Sequence, residues 1–372
     1  MKITESEKPR AFGTGLIALD LVMSANPNLP VQAWAGGTCG NVLSILAYLG
    51  WESYPIARMN GDLASERVRA DMSRWGVNLD FSGCEPTSHT PIIIQEIRRS
   101  RDGSPTHRFS WACPRCGQWL PRFKPVTRKA IDAVGDRLNG AQVFFMDRLS
   151  RAALTLAARA AEAGAIVMFE PSGKSDPKLF AEALQIAHIV KYSDQRLNEA
   201  GRAMASDSAT ILEIQTMGVE GLRYRHHLAE PSTWTHLSAV TAPQFLDSCG
   251  SGDWCSAGLL SKIAGAGLSA LKSVSNESLK SALRYGQALA AWNCAFEGAR
   301  GGMYAVERDR FEELIGQILD GRMRGSIPRP QAIDEVSVSC PACPPAKRDS
   351  TGRSPQSAVA SKNSSSERGL SA

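Results

Sequence analysis

The sequence has no apolar run long enough to cross a bilayer as a helix, and no short hydrophobic stretch behind a basic N-terminus. Neither a membrane partner nor a secretory leader is therefore expected, and the cytoplasm is the expected compartment. Cysteine is sparse: nine in 372 residues is far below the density of a disulfide-stapled scaffold. Charge of one sign is also scarce. The net charge of +5 comes from scattered arginines and a Ser-rich tail, without a basic stripe interleaved with aromatics. No nucleic-acid partner is expected from such a distribution.

What is present is the composition of a globular chain, 43% hydrophobic and 21% charged. From residue 11 to about 324 strand-like and helix-like segments alternate. Residues 11–23 form an apolar run suited to a buried strand, with Asp20 near its end. Residues 42–49 carry helix spacing closed by Gly50, 51–59 a strand, and 63–75 an amphipathic helix. From 129 onward the alternation resumes, with strands at 141–146, 165–169, 186–191 and 209–216. Helices are expected at 150–163 and 277–299. Alternation of this kind predicts an α/β fold with a parallel sheet, whose ligand crevice lies at the carboxyl ends of the strands. Glu170, Ser193 and Gly218 fall at such ends. Residues 90–110 break the rhythm with two strand-like runs around Asp102-Gly103, which predicts a hairpin lid. After about Arg324 periodicity is lost. Residues 1–325 are thus expected to form the folded domain, with the lid and a Cys-bearing insertion at about 90–125. Residues 326–372 read as a Pro/Ser-rich disordered tail.

The most informative stretch is Asp247-Ser-Cys-Gly-Ser-Gly-Asp253, followed by small and apolar residues. Glycines turn the chain tightly into a helix whose free N–H groups form an anion site. Asp253 in the first turn fits a base beside a transferred anion. A bare G-x-G-D serves equally as an ordinary helix cap, so its companions along the chain must decide.

Those companions are Gly36-Gly37 with Asn41 a turn later, and Thr216-Met-Gly218-Val-Glu-Gly221. In this order and spacing the chain resembles the ribokinase/PfkB family of carbohydrate kinases over roughly residues 12–310. The resemblance implies a ribokinase-like, doubly wound, mostly parallel sheet flanked by helices, with a small β lid over the acceptor site. It implies transfer of the ATP γ-phosphoryl group, with Mg²⁺, to a hydroxyl of a sugar, sugar derivative or nucleoside. Asp253 would be the base, and Gly250, Ser251 and Gly252 the anion hole. Asp20, Gly36, Gly37 and Asn41 would hold the acceptor. Ser193, Thr216, Gly218, Gly221, Asp247 and Asn293 would face the nucleotide. A homodimer through the lid is compatible with such a fold. The alternative is a pseudokinase, a catalytically impaired member acting as a ligand-binding or regulatory module.

The chain departs from the family where an N-x-x-E is expected after the strand at 186–191. It reads Lys191-Tyr-Ser193-Asp-Gln-Arg196. An arginine neutralises phosphate but cannot hold a cation, so the role passes to Asp194, or to Glu170 through water. Two C-x-x-C pairs, Cys113/Cys116 and Cys340/Cys343, supply four thiolates, the number that structural zinc takes. A shared Zn²⁺ clipping the tail to the lid is the expectation. The rivals are a redox pair, a site completed by His107, and two unrelated motifs.

Overall fold

The computed structural model describes residues 8–26, 29–101, 103–113, 116–172, 176–196, 208–229, 232–323 and 327–328. Val- and Phe-rich runs form the centre. β1 (Arg10–Thr14), β4 (Glu52–Met59), β5 (Ser82–Cys84), β8 (Val143–Met146), β9 (Ile166–Phe169), β10 (Ile189–Ser193) and β11 (Leu212–Thr216) lie parallel. β12 (Leu222–His226) and β13 (Thr235–Leu237) extend the edge antiparallel. Among the described residues the sheet order is β13-β12-β11-β10-β9-β8-β1-β4-β5.

Every residue of β8 and β9 is buried, as a parallel sheet covered on both faces requires. Alternation along each strand divides its side chains between two cores. Val143, Phe145, Ile166 and Met168 join the first. Phe144, Met146, Val167 and Phe169 join the second. Helices α1 (Thr38–Tyr48), α2 (Leu63–Arg74), α6 (Ser251–Ile263), α8 (Asn276–Asn293) and α9 (Arg308–Leu319) pack into the first core. So does Leu271 of the short α7 (Gly267–Ser273). Helices α3 (Arg128–Val134), α4 (Arg151–Glu162) and α5 (Pro177–Ile186) pack into the second. The fold is therefore α/β, with a mostly parallel sheet between two helical layers.

A second sheet, β3-β2-β6-β7, is built from β2 (Ala18–Met23), β3 (Gln32–Gly36), β6 (Ile92–Arg99) and β7 (Pro105–Ser110). The expected hairpin is β6–β7, paired antiparallel. The lid is larger than the sequence predicts, because residues 11–23 are two strands in two sheets rather than one. The chain breaks at Gly15, where a Cβ would come within 1.7 Å of Asp147 Oδ1. That carboxylate also accepts from the N–H of Leu16 at 2.9 Å. Residues 32–36, which lead into the Gly37 start of α1, form the lid strand β3. Among the described residues no helix is long and apolar enough to cross a membrane.

Candidate active site

Four helices start on a side chain that accepts a backbone N–H of the first turn: Asp62 for α2, Ser150 for α4, Asp176 for α5 and Ser275 for α8. The helices α1 and α6 instead start on glycines, Gly37 and Gly250, with no side-chain cap. Gly250 has φ 74°, and a Cβ there would come within 2.2 Å of the Ala299 carbonyl. Only glycine fits. The N–H of Ser251 turns back to the Ser248 carbonyl at 3.2 Å, so it is not an open donor as predicted. The N–H groups of Gly250, Gly252 and Asp253 have no acceptor among the described residues. Together with the dipole of a 13-residue helix, they form an anion-binding start.

Asp253 sits in this first turn. One of its oxygens, Oδ2, accepts from Asn41 Nδ2 at 2.7 Å, which ties α6 to α1. Burial and then the charge of Glu170 raise its pKa to about 7, against the hydrogen bond from Asn41 and the charges of Lys191 and Arg196. A carboxylate titrating near neutral pH is matched to taking a proton from a hydroxyl.

Three buried acceptor atoms near this point have no hydrogen-bond partner among the described residues: Asp20 Oδ1, Asn41 Oδ1 and Gln95 Oε1. Burial raises the Asp20 pKa to about 7, opposed by Arg300 and the Gly37 N–H. Asp20 approaches β3 so closely that a Cβ on Gly36 would lie 1.9 Å from its Oδ2. Orphaned buried acceptors cost free energy unless a donor arrives. A polyol supplies such donors. Gln95, on the lid strand β6, was not anticipated; no local pattern marks it.

Asp247 differs from its expected role at the nucleotide. Its Oδ2 accepts from Gln95 Nε2 and, at 2.9 Å, from the N–H of Gly298. Its Oδ1 accepts from the Cys249 N–H at 3.0 Å and pairs with His107 Nδ1 at 3.1 Å. Burial pushes its pKa up, but the bonds from His107, Cys249 and Gly298 outweigh burial and hold it below the usual carboxylate value. Asp247 thus clasps the lid to the start of α6. Among the described residues His107 does not form a metal-binding group with Cys113 and Cys116. Asn293 is also internal. It is fully buried, donates to the carbonyls of Cys249 and Gly298, and accepts from the Gly302 N–H. It braces the loop before α6 instead of facing adenine.

The other expected nucleotide residues line the next strand ends. Thr216 closes β11, and its carbonyl accepts from the Asp194 N–H at 3.0 Å. Gly218 and Gly221 form the tight turn into β12, with Met217 N–H donating to the Gly221 carbonyl. Ser193 closes β10 beside Asp194.

Glu170, expected to reach a metal through water, is occupied. Lys191 Nζ donates to its Oε2 at 2.8 Å, and Ser256 Oγ to its Oε1. Among the described residues no group of three His, Cys, Asp or Glu could hold a metal ion. This donor set does not fit a Mg²⁺ held by the protein. Of the four proposed zinc ligands, Cys113 and Cys116 lie on a lid turn closed by the Gly117 N–H to the Cys113 carbonyl at 2.8 Å. Cys340 and Cys343 lie outside the described residues.

Comparison with known proteins bears on the fold and the family. No curated protein matches the chain. Among solved structures, it is similar to a fructokinase from Xylella fastidiosa with bound ATP. That pair shares 21% identity and a TM-score of 0.63, covering 80% of this chain and 95% of the fructokinase. It is also similar to Arabidopsis thaliana ribokinase complexed with ribose and ATP, at 16% identity and TM-score 0.62, over 84% and 99% of the two chains. An aminoimidazole riboside kinase from Salmonella enterica gives 19% and 0.59, over 83% and 99%. At such identities these likenesses concern the fold. The family model for pfkB carbohydrate kinases, however, matches residues 28–304, which hold the Gly36-Gly37 turn, the lid hairpin, the strand ends and the Asp247–Asp253 helix start. The chain therefore belongs to the pfkB family of carbohydrate kinases and is a phosphotransferase.

Proposed function

We propose that this chain transfers the γ-phosphoryl group of ATP to a hydroxyl of a sugar, sugar derivative or nucleoside, with Asp253 as general base. The observation that carries the reading is Asp253 itself, raised to about 7 at a helix start whose neighbouring N–H groups lack acceptors among the described residues. The hydroxyl proton passes to Asp253, and the open N–H groups of Gly250, Gly252 and Asp253 stabilise the moving anion. The orphaned oxygens of Asp20, Asn41 and Gln95 accept from the remaining hydroxyls, which favours a polyol over a mono-alcohol. Ser193, Thr216, Gly218 and Gly221 border the nucleotide. Mg²⁺ would be carried by the ATP phosphates, where it would offset their charge, because no described cluster of carboxylates would hold it.

The test is ATP consumption across a panel of sugars and nucleosides, with Asp253→Asn as control. Turnover with at least one acceptor that the control abolishes supports the reading. Its absence with every acceptor favours the pseudokinase, which the loss of the family glutamate at Arg196 would then explain. For the cysteines, a shared structural zinc predicts about one equivalent in purified protein, lost in Cys340→Ser. Less than half an equivalent, unchanged by that substitution, removes the zinc reading. The exposed Phe109 of β7 supports a homodimer through that sheet, measurable by light scattering.

A further inference from the structure

A buried lysine behind the helix start has no part in the reading so far. Lys191 lies on β10, with its side chain 3% exposed. Its Nζ reaches Glu170 at the end of β9, and Glu170 is held from the other side by Ser256 of α6. Ser256 Oγ also lies 3.0 Å from the Gly252 carbonyl. The three residues thus form a chain from the middle of β10 and the end of β9 to the first turn of α6.

Its position is the telling feature. A Cβ on Gly252 would lie 3.5 Å from Lys191 Nζ, so the ammonium rests against a residue whose N–H is open. An ammonium has three donors. Glu170 accepts one, and among the described residues no further acceptor bonds to Nζ. A lysine buried only to brace the fold would have those donors satisfied as well, since burying them unpaired is costly. Glu170 and the neighbouring carboxylate of Asp253 keep the lysine protonated against the effect of burial. Two spare N–H groups on a fixed cation, at the edge of an anion-binding helix start, match the oxygens of a phosphoryl group.

We propose that Lys191 is a catalytic cation that binds the transferring phosphoryl group, with Glu170 and Ser256 as its positioning residues. It supplies the fixed positive charge where Arg196 replaces a carboxylate able to hold a metal. In the transfer, the acceptor oxygen forms a bond to the γ-phosphorus as the bond to the β,γ-bridging oxygen breaks. The electron pair leaves on ADP, and the hydroxyl proton passes to Asp253. Lys191 keeps its proton throughout and makes no covalent bond.

This inference rests on the kinase reading, so its test carries a readout that needs no acceptor. The double variant Lys191→Met/Glu170→Gln removes both charges together and leaves neither ion unpaired. Binding of the β,γ-imido analogue of ATP and of ADP is measured by calorimetry on the wild type and the variant. The expected result is a roughly tenfold or greater loss of triphosphate affinity in the variant, with ADP affinity within about twofold. With an accepted substrate, kcat falls about 100-fold, the range for losing one transition-state donor, and the KM for ATP rises in step with the lost triphosphate affinity. Triphosphate and ADP affinities both equal to wild type, or kcat within about threefold of it, overturn the proposal. If wild type consumes ATP with no acceptor, the kinase reading fails while the binding comparison still decides the role of Lys191. If the double variant does not fold, Lys191→Arg decides instead. It retains the preference for the triphosphate if the charge is what binds, and losing that preference overturns the proposal.

Discussion

The motif that opens α6 carries two aspartates, Asp247 and Asp253, and the protein treats them in opposite ways. Asp247 is 2% exposed and is surrounded by four donors, two from the lid and two from backbone. Its pKa is lowered. Asp253 has one side-chain donor, from Asn41, and its pKa is raised to about 7. The difference separates holding from reacting. A carboxylate saturated with donors is a stable anion and a poor base. One that is buried with few donors is poised to accept a proton near neutral pH.

The strongest way to break this comparison is Asp253→Asn. The side chain keeps its size and can still meet Asn41, but no longer accepts a proton. We expect kcat to fall by about 10³-fold or more, at the upper end of what a general base contributes, with the folded state intact by circular dichroism. Activity within tenfold of wild type would show that Asp253 is not the base. Asp247→Ala should do the reverse. It leaves the donors of Gln95, Cys249 and Gly298 unpaired, which costs about 3–5 kcal/mol of stability by analogy with breaking a buried charge pair. Denaturant unfolding reads that loss. Any surviving folded enzyme should show its defect mainly in acceptor KM, because the lid is no longer clasped.

These two roles were not equally legible in the sequence. The helix start at Gly250–Asp253 is local: glycine, small residue and carboxylate stand within four positions, and their backbone consequences follow directly. The parallel sheet was legible for a similar reason: residues 141–146 and 165–169 read as strands, and the structure places buried strands at 143–146 and 166–169. The clasp on Asp247 was not legible, because Gln95 and His107 lie 152 and 140 positions away and nothing near them in sequence marks the pairing. The split of residues 11–23 between two sheets failed for a related reason. The apolar run is continuous, and the break is set by Asp147, which packs into the space a side chain at Gly15 would need. Glu170 was visible as a carboxylate at a strand end. That it answers Lys191 rather than a metal depends on the depth of both side chains, which periodicity does not report.

The raised pKa of Asp253 gives the comparison a pH axis. Only the ionised form accepts the proton, so kcat/KM should rise about tenfold per pH unit below about 7 and level off above it. Burial and the Glu170 charge are the two largest causes of the shift, in that order. Glu170→Gln removes the second and leaves the Lys191 charge uncompensated. Both changes favour the anion, so the midpoint of the profile should move to lower pH. A midpoint that stays fixed would place the titration on another group.

The smallest expected effect tests whether an unsatisfied acceptor is the cost of function at Asp20 as well. Its pKa rises from the model-compound value of 3.8 to about 7, so the folded state binds its proton more tightly than the unfolded chain does. The contribution to stability is full below pH about 4 and is lost as pH rises through about 7. At pH 8 the buried carboxylate is charged, with Oδ1 lacking a hydrogen-bond partner among the described residues. Asp20→Asn removes that charge and keeps the shape. We expect a Tm about 2 °C higher than wild type at pH 8, and a smaller gain at pH 5, where the folded carboxyl is largely protonated and only the unfolded one is ionised. The same substitution should raise acceptor KM, because a charged acceptor for a hydroxyl has been exchanged for a weaker one. A gain in stability without loss of acceptor binding would mean that Asp20 faces Arg300 and the Gly37 N–H for structural reasons alone. A gain accompanied by that loss would place Asp20 with Asp253, among the carboxylates whose discomfort in the free protein is relieved by substrate.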